Sequence, residues 1–207
     1  MLKIIEHPLI KTKLTVMRNL ETDHTIFRNN LNEIASLMVY EVLRDYKTKE
    51  ITITTPTNQV TTGCDFDKEI VIVPILRAGI GMVHGIQSLV PQARVGHIGI
   101  YRNEETMQAN EYFFKMPNVK KDSHILVVDP MLATGGSAYY SIKKLKAEGF
   151  TNIQLVCIVG APEGVEKITK SFPDVTIYLA ALDEKLNKEG YIVPGLGDAG
   201  DRIFGTK

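Results

Sequence analysis

The run HILVVDPMLATGGS at residues 124–137 has the residue types and spacing that would hold a phosphate. Gly135 and the glycine after it let the backbone turn without a steric penalty, so that successive N–H groups converge on one anion at the start of a helix. Thr134 and Ser137 add hydroxyl donors, and Asp129, at the end of the apolar strand, would accept hydrogen bonds from a vicinal diol. The alternative is an ordinary strand-to-helix turn with a serine cap.

Two arginines follow other apolar runs and would bind further anionic groups of the same ligand. Arg77 lies in VPILRAGIGM, residues 73–82, where the small residues after it leave room for a ligand. Its guanidinium offers bidentate, permanently charged donors, and the alternative is a pair with a surface carboxylate. Arg102 follows the run at 95–101 and opens a polar loop. A cation on such a loop would close over the ligand and exclude water.

The C-terminal segment GYIVPGLGDAGDRIFGT, residues 190–206, is crowded with glycine. Glycine lets a chain approach a planar ligand closely, and extended main-chain N–H and C=O groups would then read its polar edge. Asp198 lies within this segment. The alternative is a glycine-rich tail that only wraps the edge of a sheet.

The elements that must position these residues are strands with short helices between them. Short β-branched runs occur at 70–75, 95–101, 125–128, 153–159 and 175–180, several of them without polar alternation. Such runs are typical of strands buried on both faces of a parallel sheet. Helical stretches at 137–148 and 164–171 separate them, so the pattern predicts an α/β sheet covered by helices.

The N-terminal part has a different pattern. Apolar residues recur at three- or four-residue steps between Asp23 and Tyr46, which predicts an amphipathic helix with Thr22 and Asp23 at its first turn. The alternating ITIT at 51–54 then predicts a hairpin strand. Two segments, 103–116 and 182–207, fit neither pattern, and we expect them to be long irregular loops beside the ligand.

Bulk properties exclude several other classes of protein. The 207 residues include 24 basic and 24 acidic side chains, so no overall field attracts nucleic acid or an anionic membrane. Cys64 and Cys157 lie far apart without metal-ligand spacing and are interpreted as ordinary thiols of a reducing compartment. No signal peptide or spanning apolar run is evident, so we expect a cytoplasmic protein without nucleic acid or membrane partners.

Taken in order, these runs resemble type I phosphoribosyltransferases, and within them the uracil-specific branch, over essentially the whole chain. The phosphate run is not a Walker A loop and lacks GxGxxG. It departs from many members by carrying Pro130 where a second acid is common, a form associated with the uracil branch. Asn103 departs from the aspartate expected after Arg102, and position 103 is therefore left out of the site.

The resemblance implies transfer of the phosphoribosyl group of 5-phosphoribosyl 1-diphosphate (PRPP) to uracil, giving UMP. It implies one domain, with a helix and hairpin extension at 1–66, a PRPP-binding core at 67–181 and a uracil-binding tail at 182–207. The residues it assigns to catalysis are Arg77, Arg102 and Asp198. Those assigned to PRPP are Arg77, Arg102, Asp129, Pro130, Met131, Leu132, Ala133, Thr134, Gly135, Gly136, Ser137 and Asp198, and those assigned to uracil are Ile192, Gly197, Asp198 and Ala199.

The resemblance also implies Mg²⁺ held through PRPP and waters with no side chain directly assigned to it, GTP as a candidate effector, and a homodimer or higher homo-oligomer. Two alternative functions stay open on the sequence alone. Transfer to orotate would need a cation in the base pocket, and residues 191–200 contain none; a purine is the other candidate base. An RNA-binding regulator with the same fold would need a basic stripe, which the balanced charge disfavours.

Overall fold

The computed structural model describes residues 1–102 and 109–206, with the side chains of Arg102 and Ala109 outside that description. The strands in this part of the chain are β1 (Leu2–Ile4), β2 (Thr48–Thr54), β3 (Val60–Phe66), β4 (Ile70–Leu76), β5 (Arg94–Val95), β6 (His97–Arg102), β7 (Ala109–Lys115), β8 (His124–Leu132), β9 (Asn152–Gly160), β10 (Thr176–Leu182), β11 (Lys185–Leu186) and β12 (Ile192–Val193). The α-helices are α1 (Pro8–Arg18), α2 (His24–Val42), α3 (Ile80–Leu89), α4 (Gly136–Ala147), α5 (Pro162–Ser171) and α6 (Ala199–Phe204).

Within the described ranges, eight strands form one sheet in the order β1-β10-β9-β8-β4-β6-β7, with β5 paired to β4 beside this path. All of its pairings are parallel except that between β6 and β7. The central strands therefore end at the same edge, where parallel α/β sheets bind their ligands. The predicted parallel sheet and its five strand runs are confirmed.

The sheet is buried on both faces, as its uninterrupted apolar strands require. Alternate residues of one strand point to opposite faces, so Ile70 and Ile72 of β4 pack with α1, α2 and α3 in one cluster. Val71 and Val73 pack in a second cluster with α4 and α5. All four residues are buried, and so the strand that carries Arg77 at its end is fixed from both sides.

The N-terminal elements confirm the predicted helix and hairpin. The side chain of Asp23 accepts hydrogen bonds from the backbone N–H groups of Thr25 and Ile26 and so caps α2, which ends at Val42. β2 and β3 pair antiparallel, and β2 is exposed along its whole length. β1 joins the main sheet beside β10, so the segment 1–66 also contributes one strand to the core sheet.

The prediction of long irregular loops at 103–116 and 182–207 was wrong for much of their length. Ala109–Lys115 forms β7, which pairs antiparallel with β6 because its neighbour's free edge supplies hydrogen-bond partners. The segment after residue 182 folds into the β11–β12 ribbon and α6. Residues 103–108 and Lys207 lie outside the described residues.

No helix among the described residues is both long enough and apolar enough to span a bilayer. Cys64 is exposed and Cys157 is buried in β9, and both are free thiols. The interpretation of the two cysteines as ordinary thiols is thus consistent with their places in the fold.

Candidate active site

The predicted phosphate run forms a strand, a tight turn and a helix. β8 continues to Leu132 because Met131 and Leu132 pair with Val159 and Gly160 of β9. Asp129 therefore lies inside the strand, and the prediction that it ends the strand was wrong. Gly135 precedes the helix with φ of 72°, a left-handed conformation that favours glycine.

The helix that follows this turn, α4, starts without a side-chain cap. Gly136 is its first residue, and its N-cap residue is Gly135, which has no side chain to cap the helix. The backbone N–H groups and the positive end of the dipole at the start of a helix suit a phosphate. The alternative of an ordinary turn with a serine cap does not describe this turn, because the N-cap is Gly135 and Ser137 is exposed within the first turn of α4.

The neighbouring residues that the sequence predicts for the site are buried or half-buried. Pro130 and Leu132 are buried, and Leu132 belongs to the core cluster under α4. Ala133 and Thr134 are half-buried in the turn itself. A ligand in the turn would therefore meet main-chain N–H groups and the polar side chains near residue 134.

Asp129 is an unusual carboxyl group because it is half-buried and close to a second one. Burial, together with a smaller effect of the negative charge of Asp198, raises the pKa of Asp129 to about 7. The backbone N–H of Met131 donates a long, 3.5 Å hydrogen bond to the Asp129 carboxylate and opposes this shift. The residue that pairs with Asp129 in β9 is Cys157. Cys157 is buried, and burial raises the pKa of its thiol, which therefore stays neutral.

We expect the affinity for PRPP to fall as the pH drops below about 7. The sequence predicts that Asp129 accepts hydrogen bonds from ribose hydroxyls, and the ionised carboxylate would then be the binding form. One pH unit below the pKa only about a tenth of the groups remain ionised, which weakens binding by about tenfold. Calorimetric titration of PRPP at pH 6 and pH 8 measures the effect. Asp129→Asn should lose this dependence while keeping that of the PRPP phosphates, and identical pH profiles would contradict the assignment.

Gly164, in the first turn of α5, packs against the turn at residues 133–137, which we call the phosphate turn after its predicted ligand. Nothing in the sequence singled out Gly164. A β-carbon at Gly164 would lie 2.4 Å from the carbonyl oxygen of Ala133 and 2.9 Å from that of Leu132. At Gly135 a β-carbon would lie 3.2 Å from the Cα of Gly164. The two glycines thus let the backbones of the turn and of α5 touch, which fixes the turn's position.

Gly164→Ala should therefore displace the phosphate turn and raise the Kd for PRPP by about tenfold, the equivalent of a modest overpacking cost. The colliding atom belongs to the backbone of Ala133, so rotation of a side chain cannot relieve the contact. Calorimetry with PRPP measures the change. Gly63→Ala is the control, because a β-carbon there meets only ordinary contacts at 3.5 Å or more. Equal PRPP affinity in both variants would show that the turn does not depend on Gly164.

Arg77 follows β4 directly, and its side chain is exposed. Its guanidinium carbon lies 5.9 Å from the centre of the Phe204 ring, and with the described residues it forms no ion pair. The peptide bond between Leu76 and Arg77 is cis. A β-carbon at Gly79 would lie 2.4 Å from the carbonyl oxygen of Val128, so the turn that carries Arg77 packs against β8 just before Asp129.

Arg102 is the last residue of β6, the strand next to β4 on the side away from β8. Leu76 pairs with Gly99, so the parallel strands β4 and β6 reach the same edge with Arg77 and Arg102 beyond this pair. The side chain of Arg102, and Asn103 as a whole, lie outside the described residues.

The predicted base-reading residues lie at the start of β12, in the turn after it and at the start of α6. Ile192 and Ala199 are buried and Gly197 is exposed, with φ of 77° at Gly197. The Val193–Pro194 peptide bond is cis. Asp198 caps α6, since its carboxylate accepts the backbone N–H of Asp201 at 3.0 Å. Main-chain groups, and not the buried side chains of Ile192 and Ala199, are therefore what this turn can offer to a ligand.

Two short distances and one electrostatic effect place the C-terminal tail beside the two predicted anion-binding turns. The Phe204 ring lies beside the Arg77 guanidinium. A β-carbon at Gly190 would lie 3.9 Å from the methyl group of Thr134. The Asp198 charge influences the Asp129 carboxyl. The site thus combines a phosphate turn, an exposed arginine, two carboxyl groups and a backbone-lined turn at one edge of the sheet.

This arrangement suits a ligand that is anionic at two ends and carries a diol between them. Among the described residues, no group of three or more His, Cys, Asp or Glu side chains is placed to hold a metal ion.

A family model described as uracil phosphoribosyltransferase matches residues 4–206. The uracil phosphoribosyltransferase of Metamycoplasma hominis is 66% identical to the chain over 207 residues, covering 100% of the chain and 99% of that protein. The protein of the same name from Mycoplasma mobile is 65% identical, with full coverage of both. That of Enterococcus faecalis is 55% identical over 205 residues, covering 99% and 98%.

Two solved structures are similar to the chain in fold. A protein from Aquifex aeolicus superposes with a TM-score of 0.93 at 38% identity, covering 99% of this chain and 98% of that one. Adenine phosphoribosyl transferase from Trypanosoma brucei, in complex with AMP, pyrophosphate and ribose-5-phosphate, superposes with a TM-score of 0.60 at 13% identity, covering 87% and 83%. The second likeness concerns the fold alone.

Proposed function

The chain belongs to the uracil phosphoribosyltransferase family, and we propose from this premise that it transfers the phosphoribosyl group of PRPP to uracil, giving UMP and diphosphate. The full-length similarity to proteins of that name supports this reaction and not transfer to orotate or a purine. The structural observation that carries the proposal is that the tail lies beside both anion-binding turns at one sheet edge: a β-carbon at Gly190 would lie 3.9 Å from the methyl group of Thr134, and the Phe204 ring centre lies 5.9 Å from the guanidinium carbon of Arg77.

We assign the PRPP 5-phosphate to the turn at residues 133–137 and the start of α4. The Asp129 carboxylate would then accept hydrogen bonds from the ribose hydroxyls. Arg77 and Arg102 would bind the diphosphate, with Asp198 beside it. Residues 130–132 would contribute through their backbone, because Pro130 and Leu132 are buried.

We assign uracil to the turn formed by Ile192 and residues 197–199. Uracil presents an acceptor, a donor and an acceptor along one edge, which main-chain N–H, C=O and N–H groups can match. Cytosine would meet two mismatches there, and an unpaired buried polar group costs about 1–3 kcal/mol. Backbone groups alone can therefore discriminate between the two bases.

The displacement at the anomeric carbon passes through an oxocarbenium-like state, as in related glycosyl chemistry. The enzyme must then stabilise negative charge on the departing diphosphate, and Arg77 and Arg102 supply fixed positive charge for this. Mg²⁺ bound with PRPP would neutralise further charge on the leaving group. No side chain is assigned as a general base for uracil N1.

The decisive experiment incubates the purified protein with PRPP, Mg²⁺ and one nucleobase at a time. We expect UMP from uracil and no comparable product from cytosine, orotate or hypoxanthine, because only uracil matches the backbone pattern. Chelation by EDTA should stop the reaction and added Mg²⁺ should restore it. Comparable product from any of the other three bases would overturn the proposal, and binding of pyrimidine-operon leader RNA without UMP formation would favour a regulator.

We further propose a homo-oligomer, GTP as an effector and a cytoplasmic location. The support for the first two is the family resemblance alone, and the free thiols of Cys64 and Cys157 support the third. Sedimentation analysis tests the oligomer, and UMP formation measured with and without GTP tests the effector.

A further inference from the structure

A buried ion pair between Arg18 at the end of α1 and Asp183 after β10 holds the backbone just before the proposed uracil-reading turn. Arg18 Nη1 and Nη2 donate to the two carboxylate oxygens of Asp183 at 2.8 and 2.5 Å. Asp183 is only 8% exposed. Paired Arg–carboxylate contacts of this geometry are among the stronger and more directional polar interactions in proteins.

Both partners of this pair also bind the backbone of one residue, Gly195. Arg18 Nη1 donates to the carbonyl oxygen of Gly195 at 2.6 Å, and the backbone N–H of Gly195 donates to Asp183 Oδ2 at 2.9 Å. The N–H of Asp183 itself donates to the carbonyl of Gly160 at the end of β9, at 2.8 Å. A continuous set of hydrogen bonds thus joins the central sheet to Gly195.

Gly195 could not be replaced at this point without moving the chain. Its φ is 64°, and a β-carbon there would lie 2.1 Å from the carbonyl oxygen of Ile192. The chain from Ile192 to Gly195 therefore turns too tightly for a β-carbon at residue 195. The ion pair holds both the N–H and the carbonyl group of Gly195. Its position is set from α1 and from the sheet, two elements distant in sequence.

A second arginine fixes the next residue. Arg202 Nη1 donates to the carbonyl oxygen of Leu196 at 3.0 Å, while Nη2 donates to that of Asn19 at 2.7 Å. Its guanidinium carbon lies 4.5 Å from the centre of the buried Phe27 ring. The carbonyl groups of residues 195 and 196 are thus both occupied, and the next backbone in the chain is that of residues 197–199.

We propose that Asp183 and Arg18 are positioning residues for base recognition: they set the place of residues 197–199 against the uracil edge without touching the substrate. This inference rests on the assignment of uracil to that turn. A shift of a few tenths of an ångström in Gly195 would pass directly to Gly197, because the two residues are separated only by Leu196. Recognition by backbone hydrogen bonds depends on such placement more than recognition by mobile side chains does.

Asp183→Asn is the informative variant because it keeps the size of the side chain. Its amide can still accept one hydrogen bond, but it presents an NH₂ group or a neutral oxygen to Arg18 and loses the charge-assisted pair. We expect the KM for uracil to rise by about tenfold. The Kd for PRPP, measured calorimetrically without uracil, should rise much less, because Asp198 is the one residue assigned to PRPP that lies in the positioned segment, whereas the phosphate turn packs against Gly164.

Glu41→Gln is the matched control. Glu41, near the C-terminal end of α2, forms a bidentate pair with Arg44: Arg44 Nε and Nη2 donate to its Oε2 and Oε1 at 2.9 and 2.7 Å. This pair does not contact the tail turn. The substitution should leave both constants within about twofold. Arg18→Lys, which keeps the charge but loses the forked geometry, should raise the KM for uracil as Asp183→Asn does, and it decides the matter if Asp183→Asn does not fold.

The outcomes separate the inference from the reaction on which it rests. Wild-type protein that makes no UMP would refute the reaction. Wild-type protein that makes UMP, with Asp183→Asn or Arg18→Lys matching Glu41→Gln in its KM for uracil, would refute the positioning role. Equal losses of uracil and PRPP binding in a folded variant would also refute it, because they would indicate a general structural role. A selective rise in the KM for uracil supports it.

Discussion

Gly135→Val should abolish measurable PRPP binding while the protein stays folded. Gly135 has φ of 72°, a conformation that a β-branched residue adopts only at considerable cost. The new side chain would also press on Gly164, whose Cα and carbonyl oxygen lie 3.2 Å from the β-carbon position. The turn must change its path, so the N–H groups at the start of α4 would no longer converge on the phosphate. We expect at least about a hundredfold rise in Kd, from backbone strain and lost phosphate contacts together.

Calorimetry with PRPP and Mg²⁺ measures this loss, and circular dichroism shows whether the fold is kept. Gly149→Val is the control at the other end of α4. Gly149 also has positive φ, of 90°, but a β-carbon there meets only the side chain of Lys121, at 3.8 Å or more. Both variants carry a similar backbone strain, and only Gly135→Val should lose PRPP. Unchanged PRPP affinity in a folded Gly135→Val protein would remove the phosphate from this turn.

The sheet and the helix α2 could be predicted because their signals are local. The strands of the sheet appear as short β-branched runs, and α2 shows both its apolar period and its cap at Asp23. α3 was missed because Gly81 and Gly85 weaken a helical pattern. The structure gives the reason for Gly85: a β-carbon there would lie 2.0 Å from the carbonyl oxygen of Asn32, so the glycine lets α2 and α3 approach closely.

β1 and β7 were missed for a different reason. β1 has only three residues, and β7 is a polar and aromatic run that becomes a strand by pairing with β6. The placement of Asp129 at a strand end was wrong because the strand continues while β9 supplies pairing partners for Met131 and Leu132. In each case a neighbour in space, which the local pattern does not contain, decides the structure.

The candidate site divides in the same way. Gly135 and Asp129 stand in a continuous run whose residue types suggest phosphate and diol binding. Asp183 has no such signature, because its partner Arg18 is 165 residues away in the sequence. Gly164 is likewise an ordinary helix residue until α5 is packed against the phosphate turn. The residues assigned to substrate contact thus come from local motifs, whereas those that support them became visible only in three dimensions.

Arg77→Ala should lower kcat/KM for PRPP by about 10²–10³, the scale of losing one preorganised donor to the transition state. Arg77 is exposed at the edge of the sheet that carries the phosphate turn, and with the described residues it has no carboxylate partner, so its charge is available to a diphosphate. Arg102→Ala should give a loss of similar size, since the strand it ends is parallel to that of Arg77. Selectivity for uracil over cytosine should barely change in either variant.

The double variant tests whether both arginines act on one ligand. If they do, the losses in kcat/KM should be less than additive, because the second substitution removes part of an interaction already weakened. Arg94→Ala is the control. Arg94 lies in β5, beside the amino-terminal end of β4 and away from the phosphate turn, and its Nη2 lies 3.2 Å from Oε1 of Glu69. It should stay within about twofold of wild type. If Arg77→Ala kept near-normal PRPP kinetics, or lost base selectivity instead, Arg77 would not bind the leaving diphosphate.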